Sequence, residues 1–193
     1  MIRWARRTGC VAAVVVALGA RAARAQEQDE GAHLGLDRVG TYLSYTWIEN
    51  ARRGWEAGGE IDLATLAPRT RLVLGLDYFK ADIDRRNVFG GQLTGGFHDF
   101  AVMADVRVRL FRAGPLEPFA GAGVGVHFLG NDIEGDPAFA SRYEGTKAGA
   151  QLFGGSELAL TADRRVALYG EVRRILAKAV DRTTLRVGAF FRL

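Results

Sequence analysis

From residue 38 to the C-terminus, apolar and polar positions alternate with a period of two in eight successive stretches. Each is about as long as the 9–11 residues that a tilted strand needs to cross a membrane. The fourth is the clearest: Phe100, Val102, Ala104, Val106, Val108 and Leu110 share one face, with Asp99, Asp105, Arg107 and Arg109 on the other. In the first, Val39, Leu43, Tyr45 and Trp47 oppose Gly40, Tyr42, Ser44 and Thr46. The second sets Trp55, Ala57, Ile61 and Leu63 against Glu56, Gly58, Glu60 and Asp62, and the third sets Leu72, Leu74, Leu76 and Tyr78 against Val73, Asp77 and Phe79. After Pro118, Val124, Val126 and Phe128 alternate with Gly121, Gly123, Gly125 and His127. The last three put Leu152 and Leu158 opposite Gln151 and Glu157, Leu168 and Val172 opposite Tyr169, Glu171 and Arg173, and Leu185, Val187 and Phe191 opposite Arg186, Gly188 and Arg192. Side chains of a strand point alternately to its two faces, so the pattern predicts strands with one apolar face. A helix would scatter Asp105, Arg107 and Arg109 around a cylinder among the valines.

The connections alternate in length. Residues 64–70, 111–117 and 161–165 are short and carry the turn formers Pro68, Gly114, Pro115 and Asp163. Between them fall the brief segments 48–54 and 176–182 and two long ones, 81–96 and 129–147. The expected fold is all-β: an eight-stranded antiparallel up-and-down barrel over residues 38–193, short turns toward the periplasm and longer loops outside. A secreted lipocalin-like barrel alternates as well. Three features favour the membrane. Glycine mixes with charge on the polar face, as a narrow interior filled by its own side chains requires. Trp47, Trp55, Tyr78 and Phe128 fall at one level, as an outer aromatic girdle would. The three lysines, Lys80, Lys147 and Lys178, all fall at outer strand ends. Turning the fourth strand over would put Arg107 and Arg109 in lipid at about 2–4 kcal/mol each, so the polar face is expected inside.

The N-terminus changes the electrostatic picture. Arg3, Arg6 and Arg7 precede an apolar run from Gly9 to Ala20, and Ala23-Arg24-Ala25 supplies a small-x-small pattern. Residues 1–25 read as a signal peptide cut between Ala25 and Gln26, followed by a short periplasmic segment, 26–37. The run is too short for a membrane anchor. The peptide takes five of the 26 basic residues and none of the 22 acidic ones, and it takes the single cysteine, Cys10. The mature chain is therefore slightly acidic, which removes the argument for nucleic-acid binding, and it has no thiol chemistry.

With this layout, the stretch Pro118-Phe119-Ala120-Gly121-Ala122-Gly123-Val124-Gly125 and the segment Leu168-Tyr169-Gly170-Glu171-Val172-Arg173, the chain resembles the OmpA/OmpX/Opa-like family of eight-stranded outer-membrane barrels. The resemblance implies outer-membrane residence, contact with lipids including lipopolysaccharide, insertion by the barrel-assembly machinery, and a monomer. The C-terminus is similar to the assembly signal of such proteins, with Leu193 in place of the usual phenylalanine.

Candidate chemistry falls into three groups. His127-Phe128-Leu129-Gly130-Asn131 is similar to the His-x-Ser-Asn motif of lipid A deacylases, but Leu129 stands where the nucleophile should be, and a histidine at the lumen rim is the expectation. Glu56, Glu60, Asp62, Asp77, Asp99, Asp105, Arg107, Arg109, Glu157, Glu171, Arg173, Arg186 and Arg192 are expected in the lumen. They read either as an ion path or, with more support from barrel width, as a paired network that fills the interior. Outside, Arg52, Arg53, Lys80, Arg85, Arg86, Lys147, Lys178 and Arg182 are candidate contacts to lipopolysaccharide phosphates, among enough carboxylates to read equally as solvated loops. No cofactor or metal is expected. The functional expectation is a non-enzymatic structural or surface-interaction barrel with 81–96 and 129–147 outside. The alternatives are a lipid A-modifying enzyme, a narrow solute channel and a soluble barrel.

Overall fold

The computed structural model describes residues 32–48, 54–86 and 92–193; the expected signal peptide and its cut at Ala25 lie outside them. Eight strands follow one another: β1 His33–Ile48, β2 Gly54–Ala67, β3 Thr70–Arg86, β4 Gln92–Arg109, β5 Leu116–Asn131, β6 Gly145–Ala159, β7 Val166–Ala177 and β8 Arg182–Arg192. Each pairs antiparallel with the next, and β8 returns to β1, so the sheet closes and no edge is left open. β1 begins at His33, so the strand takes in residues 33–37 of the segment expected to precede the barrel.

The alternation read from the sequence maps onto the two surfaces of this sheet. Outward residues such as Leu43, Leu76, Val124, Leu152 and Val187 are each at least half exposed. Inward residues on the same strands are buried, charged ones included. This distribution inverts that of a water-soluble barrel. Apolar surface of that extent is stable only against lipid, and the buried polar face is what a lipid-bathed barrel must keep inside.

At one end lie the start of β1, the end of β8 and the turns β2–β3, β4–β5 and β6–β7. The two-residue β2–β3 turn puts Arg69 at φ 71°. Near it, register shifts between Asp62 and Ala64 and between Thr65 and Ala67 bend β2.

The other end departs from expectation in two places. Residues 81–96 are mostly strand, because β3 and β4 keep pairing as far as Arg86 with Gln92 and form a projecting hairpin. Residues 129–147 are part strand and part folded loop. β5 runs to Asn131, and residues 132–134 continue along β4 through Glu134 N–H to Thr94 O (2.9 Å) and Asp132 N–H to Gly96 O (3.0 Å). Asp136 then caps a one-turn helix, Pro137–Ala140, accepting from the N–H groups of Ala138 (2.9 Å) and Phe139 (3.1 Å). A 3₁₀ turn, Ser141–Tyr143, carries the Tyr143 ring into the barrel mouth, 4.5 Å from that of Phe97. Most of residues 132–144 are exposed, as expected of an outer loop, but the loop is folded and its one buried side chain, Tyr143, plugs the mouth.

Candidate functional site in the lumen and at its mouths

The lumen is filled in layers. Beneath the plug sits an apolar layer of Phe79, Phe97, Leu129, Tyr143, Ile175 and Val180. Immediately below, Arg182 reaches Asp99 at 2.6 Å and Glu56 at 3.1 Å, and His127 Nδ1 lies 2.8 Å from Asp99 Oδ2. Arg186 joins Glu56 at 2.6 Å to Asp77 at 2.5 Å, and Ser44 donates to Glu56 at 3.3 Å. At mid-height Arg173 bridges Glu171 and Asp105, each at 2.7 Å, and Gln151 donates to Asp105. Arg107 donates to Glu60 at 2.9 Å and lies 3.6 Å from Glu171. Lower still, Arg38 joins Glu157 (2.6 Å) to Asp62 (2.7 Å), and Arg71 shares Asp62 at 2.6 Å.

Five aromatic rings separate these charges. Tyr42, Phe119, Phe153, Tyr169 and Phe190 cluster in the lower half, and guanidiniums lie over them: Arg173 over Phe153 at 4.2 Å, Arg186 over Tyr42 at 4.3 Å and Arg38 over Phe190 at 4.4 Å. Each of the five rings faces a glycine directly across the sheet: Tyr42 faces Gly58, Phe190 faces Gly40, Phe119 faces Gly155, Phe153 faces Gly121 and Tyr169 faces Gly188. The glycines supply the space that the rings occupy. A Cβ on Gly121 would overlap the tip of Phe153, and one on Gly58 would overlap the Tyr42 hydroxyl.

Of the residues expected in the lumen, Glu56, Glu60, Asp62, Asp77, Asp99, Asp105, Arg107, Glu157, Glu171, Arg173 and Arg186 lie there and are buried. Arg109 and Arg192 do not join them. Arg109 pairs with Glu117 at 3.6 Å beside the β4–β5 turn, and Arg192 is exposed at the end of β8. Both stand at the turn-bearing mouth because their strands end there. The reverse correction applies to Arg182: expected outside, it is buried between Asp99 and Glu56, since β8 starts three residues earlier than its alternation suggests. Lys147 is also displaced. It is half-buried and in phase with inward Gln151 and Phe153, and it lines a cavity at the plugged mouth with Arg142, Lys178 and Asp181. Lys80 and Lys178 are exposed. Arg52, Arg53 and the side chains of Arg85 and Arg86 lie outside the described residues. Trp47, Trp55, Tyr78 and Phe128 all point outward, with Trp55 and Tyr78 in contact at 6.1 Å.

Sequence reasoning missed Arg38, Arg71 and the inward rings Phe119, Phe153 and Phe190. Their signal was parity, since Phe153 keeps step with Gln151 and Phe190 with Arg186. Arg174, missed on the other side, is outward in phase with Val172 and Leu176 near the plugged mouth, and donates to Thr183 at 3.3 Å.

A closed sheet with paired charge inside and an apolar belt outside defines a membrane-spanning eight-stranded β-barrel. No protein-family model matches the chain, and no curated protein matches it. Solved structures do. Neisserial surface protein A is 15% identical with a TM-score of 0.56, over 85% of this chain and 100% of that one. The outer membrane protein OprG from Pseudomonas aeruginosa is 13% identical with a TM-score of 0.53, over 83% and 94%. The outer membrane enzyme PagL is 13% identical with a TM-score of 0.52, over 81% and 99%. At such identities the likeness is one of fold, which proteins of different activity share.

Proposed function

We propose that the chain is a monomeric outer-membrane barrel with a structural or surface-interaction role, its plugged mouth outside and its short turns in the periplasm. The observation that carries this reading is the closed lumen. Ion pairs cross it at every level, rings fill the gaps, and Tyr143 with its neighbours covers one end. Such an interior stabilises a wall; it does not pass solute. Interaction then falls to the outer surface, where the β3–β4 hairpin and residues 132–144 are presented. Exposed Lys80 lies beside the outward Trp55–Tyr78 pair, at the level where lipid phosphates meet an aromatic belt. Lipopolysaccharide is the anionic partner proposed there, with Arg174 added to the expected contacts and Arg182 removed.

An enzymatic reading draws on PagL and on the buried His127–Asp99 pair, which supplies two of the three members of a hydrolytic triad. Three observations count against it. Asp99 is also engaged by Arg182, the pair is sealed beneath the plug, and Leu129 occupies the position of the missing nucleophile. The pair serves the network. The proposal is tested by fractionating cells that express the chain and by protease treatment of intact cells. A heat-modifiable band in the outer membrane, cut from outside at residues 132–144, supports it. A periplasmic soluble species, or a cut only after the cells are opened, overturns it.

A further inference from the structure

The turn-bearing mouth carries more guanidinium than the network above it uses. A cavity of about 60 Å³ opens there, lined by seven arginines and only two glutamates. At the roughly 30 Å³ that a water takes in the liquid, this is room for about two waters, and the cavity is open to solvent beyond them. The two deepest arginines, Arg38 and Arg71, are engaged by Asp62. Those nearer the opening are served differently. Glu117 is the shared carboxylate of Arg109 (3.6 Å), Arg112 (2.5 Å) and Arg164. Arg165 holds only the exposed Asp163, at 3.2 Å, and Arg192 has no carboxylate partner among the described residues. The Arg192 backbone is held, its main-chain N–H donating to the Arg165 carbonyl at 2.8 Å, and the residue pairs with Arg38 across β1 and β8 while its side chain is exposed. Asp62 and Glu157 compensate Arg38, so the charge left over where these like charges face each other is that of Arg192.

Arg164 supplies an independent observation. It sits at φ 56°, where a side chain is costly and glycine is not. From that backbone its guanidinium spans two turns, donating to Gly114 O at 2.6 Å and to Glu117. Glycine would make the turn at less cost and would leave the mouth without this fork.

We propose that this mouth binds a phosphoryl oxyanion, with Arg112, Arg164, Arg165 and Arg192 as its ligands and Glu117 as the internal counter-ion that spaces them. Guanidinium forks match phosphoryl oxygens two at a time, and phosphate recognition favours arginine over lysine for that reason. The arginines here come from β8 and from two separate turns, and the closed barrel brings them to the lining of one cavity. A phosphoryl group reaches this side either on a lipid headgroup or on a soluble phosphate ester. The site rests on geometry; only its naming as periplasmic rests on the orientation proposed above.

The test uses the mature chain refolded in a neutral detergent, isotope-labelled, and titrated with inorganic pyrophosphate while backbone amide shifts are followed. The expected result is saturable movement at Gly114, Arg164 and Arg165, with Ala179 at the opposite mouth unmoved. Arg165→Gln combined with Arg192→Gln, both exposed positions whose change leaves the fold detectable by heat-modifiable mobility, weakens binding roughly tenfold or more. Repeating the titration in phosphatidylglycerol nanodiscs separates the sources. Amides already shifted and unresponsive to pyrophosphate assign the site to headgroups, and a retained response assigns it to soluble esters. Absence of saturation in detergent, or equal affinity in the double variant, overturns the proposal.

Discussion

Arg182 Nη1 lies 2.6 Å from Asp99 Oδ2 and ties β8 to β4 on the opposite wall of the barrel, across 83 residues of sequence. The same guanidinium reaches Glu56 on β2. Breaking a buried pair leaves its partner charged and uncompensated, which costs about 3–5 kcal/mol. Arg182→Met is therefore expected to lower the urea stability of the refolded barrel by that amount. Lys178→Gln, four residues earlier and exposed, is expected to change it by no more than about 0.5 kcal/mol. A neutral Arg182→Met would return that side chain to the exterior.

The ring-over-glycine pairs predict a second, different cost. Valine at Gly121 would collide with Phe153 and with the Val106 carbonyl, and overpacking of this kind costs about 1–3 kcal/mol. Because part of the collision is with the ring and part with the backbone, Phe153→Ala should relieve only the first part. A double-mutant cycle in detergent is expected to show non-additive coupling, whereas additive losses would mean that the glycine matters only through its backbone.

The plug can be tested apart from the wall. Tyr143 packs against Phe97 and Phe139, and truncating a buried aromatic residue costs about 3–5 kcal/mol. This cost falls on the 132–144 segment, whose strand-like attachments among the described residues are to β4. Tyr143→Ala is expected to speed tryptic cleavage at exposed Arg142 by at least about tenfold while the barrel keeps its heat-modifiable mobility. Unchanged cleavage would show that the plug is held by other contacts.

The barrel was legible in the sequence because period two is a strong signal wherever one face meets lipid and the other does not. Legibility fell off where that contrast ends. Above the apolar belt, as at Arg182, a strand still alternates but both its surroundings are polar, so an inward arginine looks like a loop residue. Inside, the expectation of small residues and charge left no place for Phe119, Phe153 or Phe190, although each keeps inward parity. The folded plug had a local cue, an N-capping aspartate before proline at Asp136-Pro137, which the polar composition around it obscured. The arginine-lined mouth had none, since its residues come from turns separated by some fifty positions and meet only in the closed barrel.

Whether the lumen is closed decides between a wall and a channel, and it is open to direct measurement. The mature barrel, refolded and inserted into a planar lipid bilayer, is expected to show no stable conductance above the bare membrane. Arg182→Met and Tyr143→Ala serve as variants that loosen the seal. Reproducible open-channel steps from the unaltered protein would contradict the closed, ion-paired interior on which this account rests.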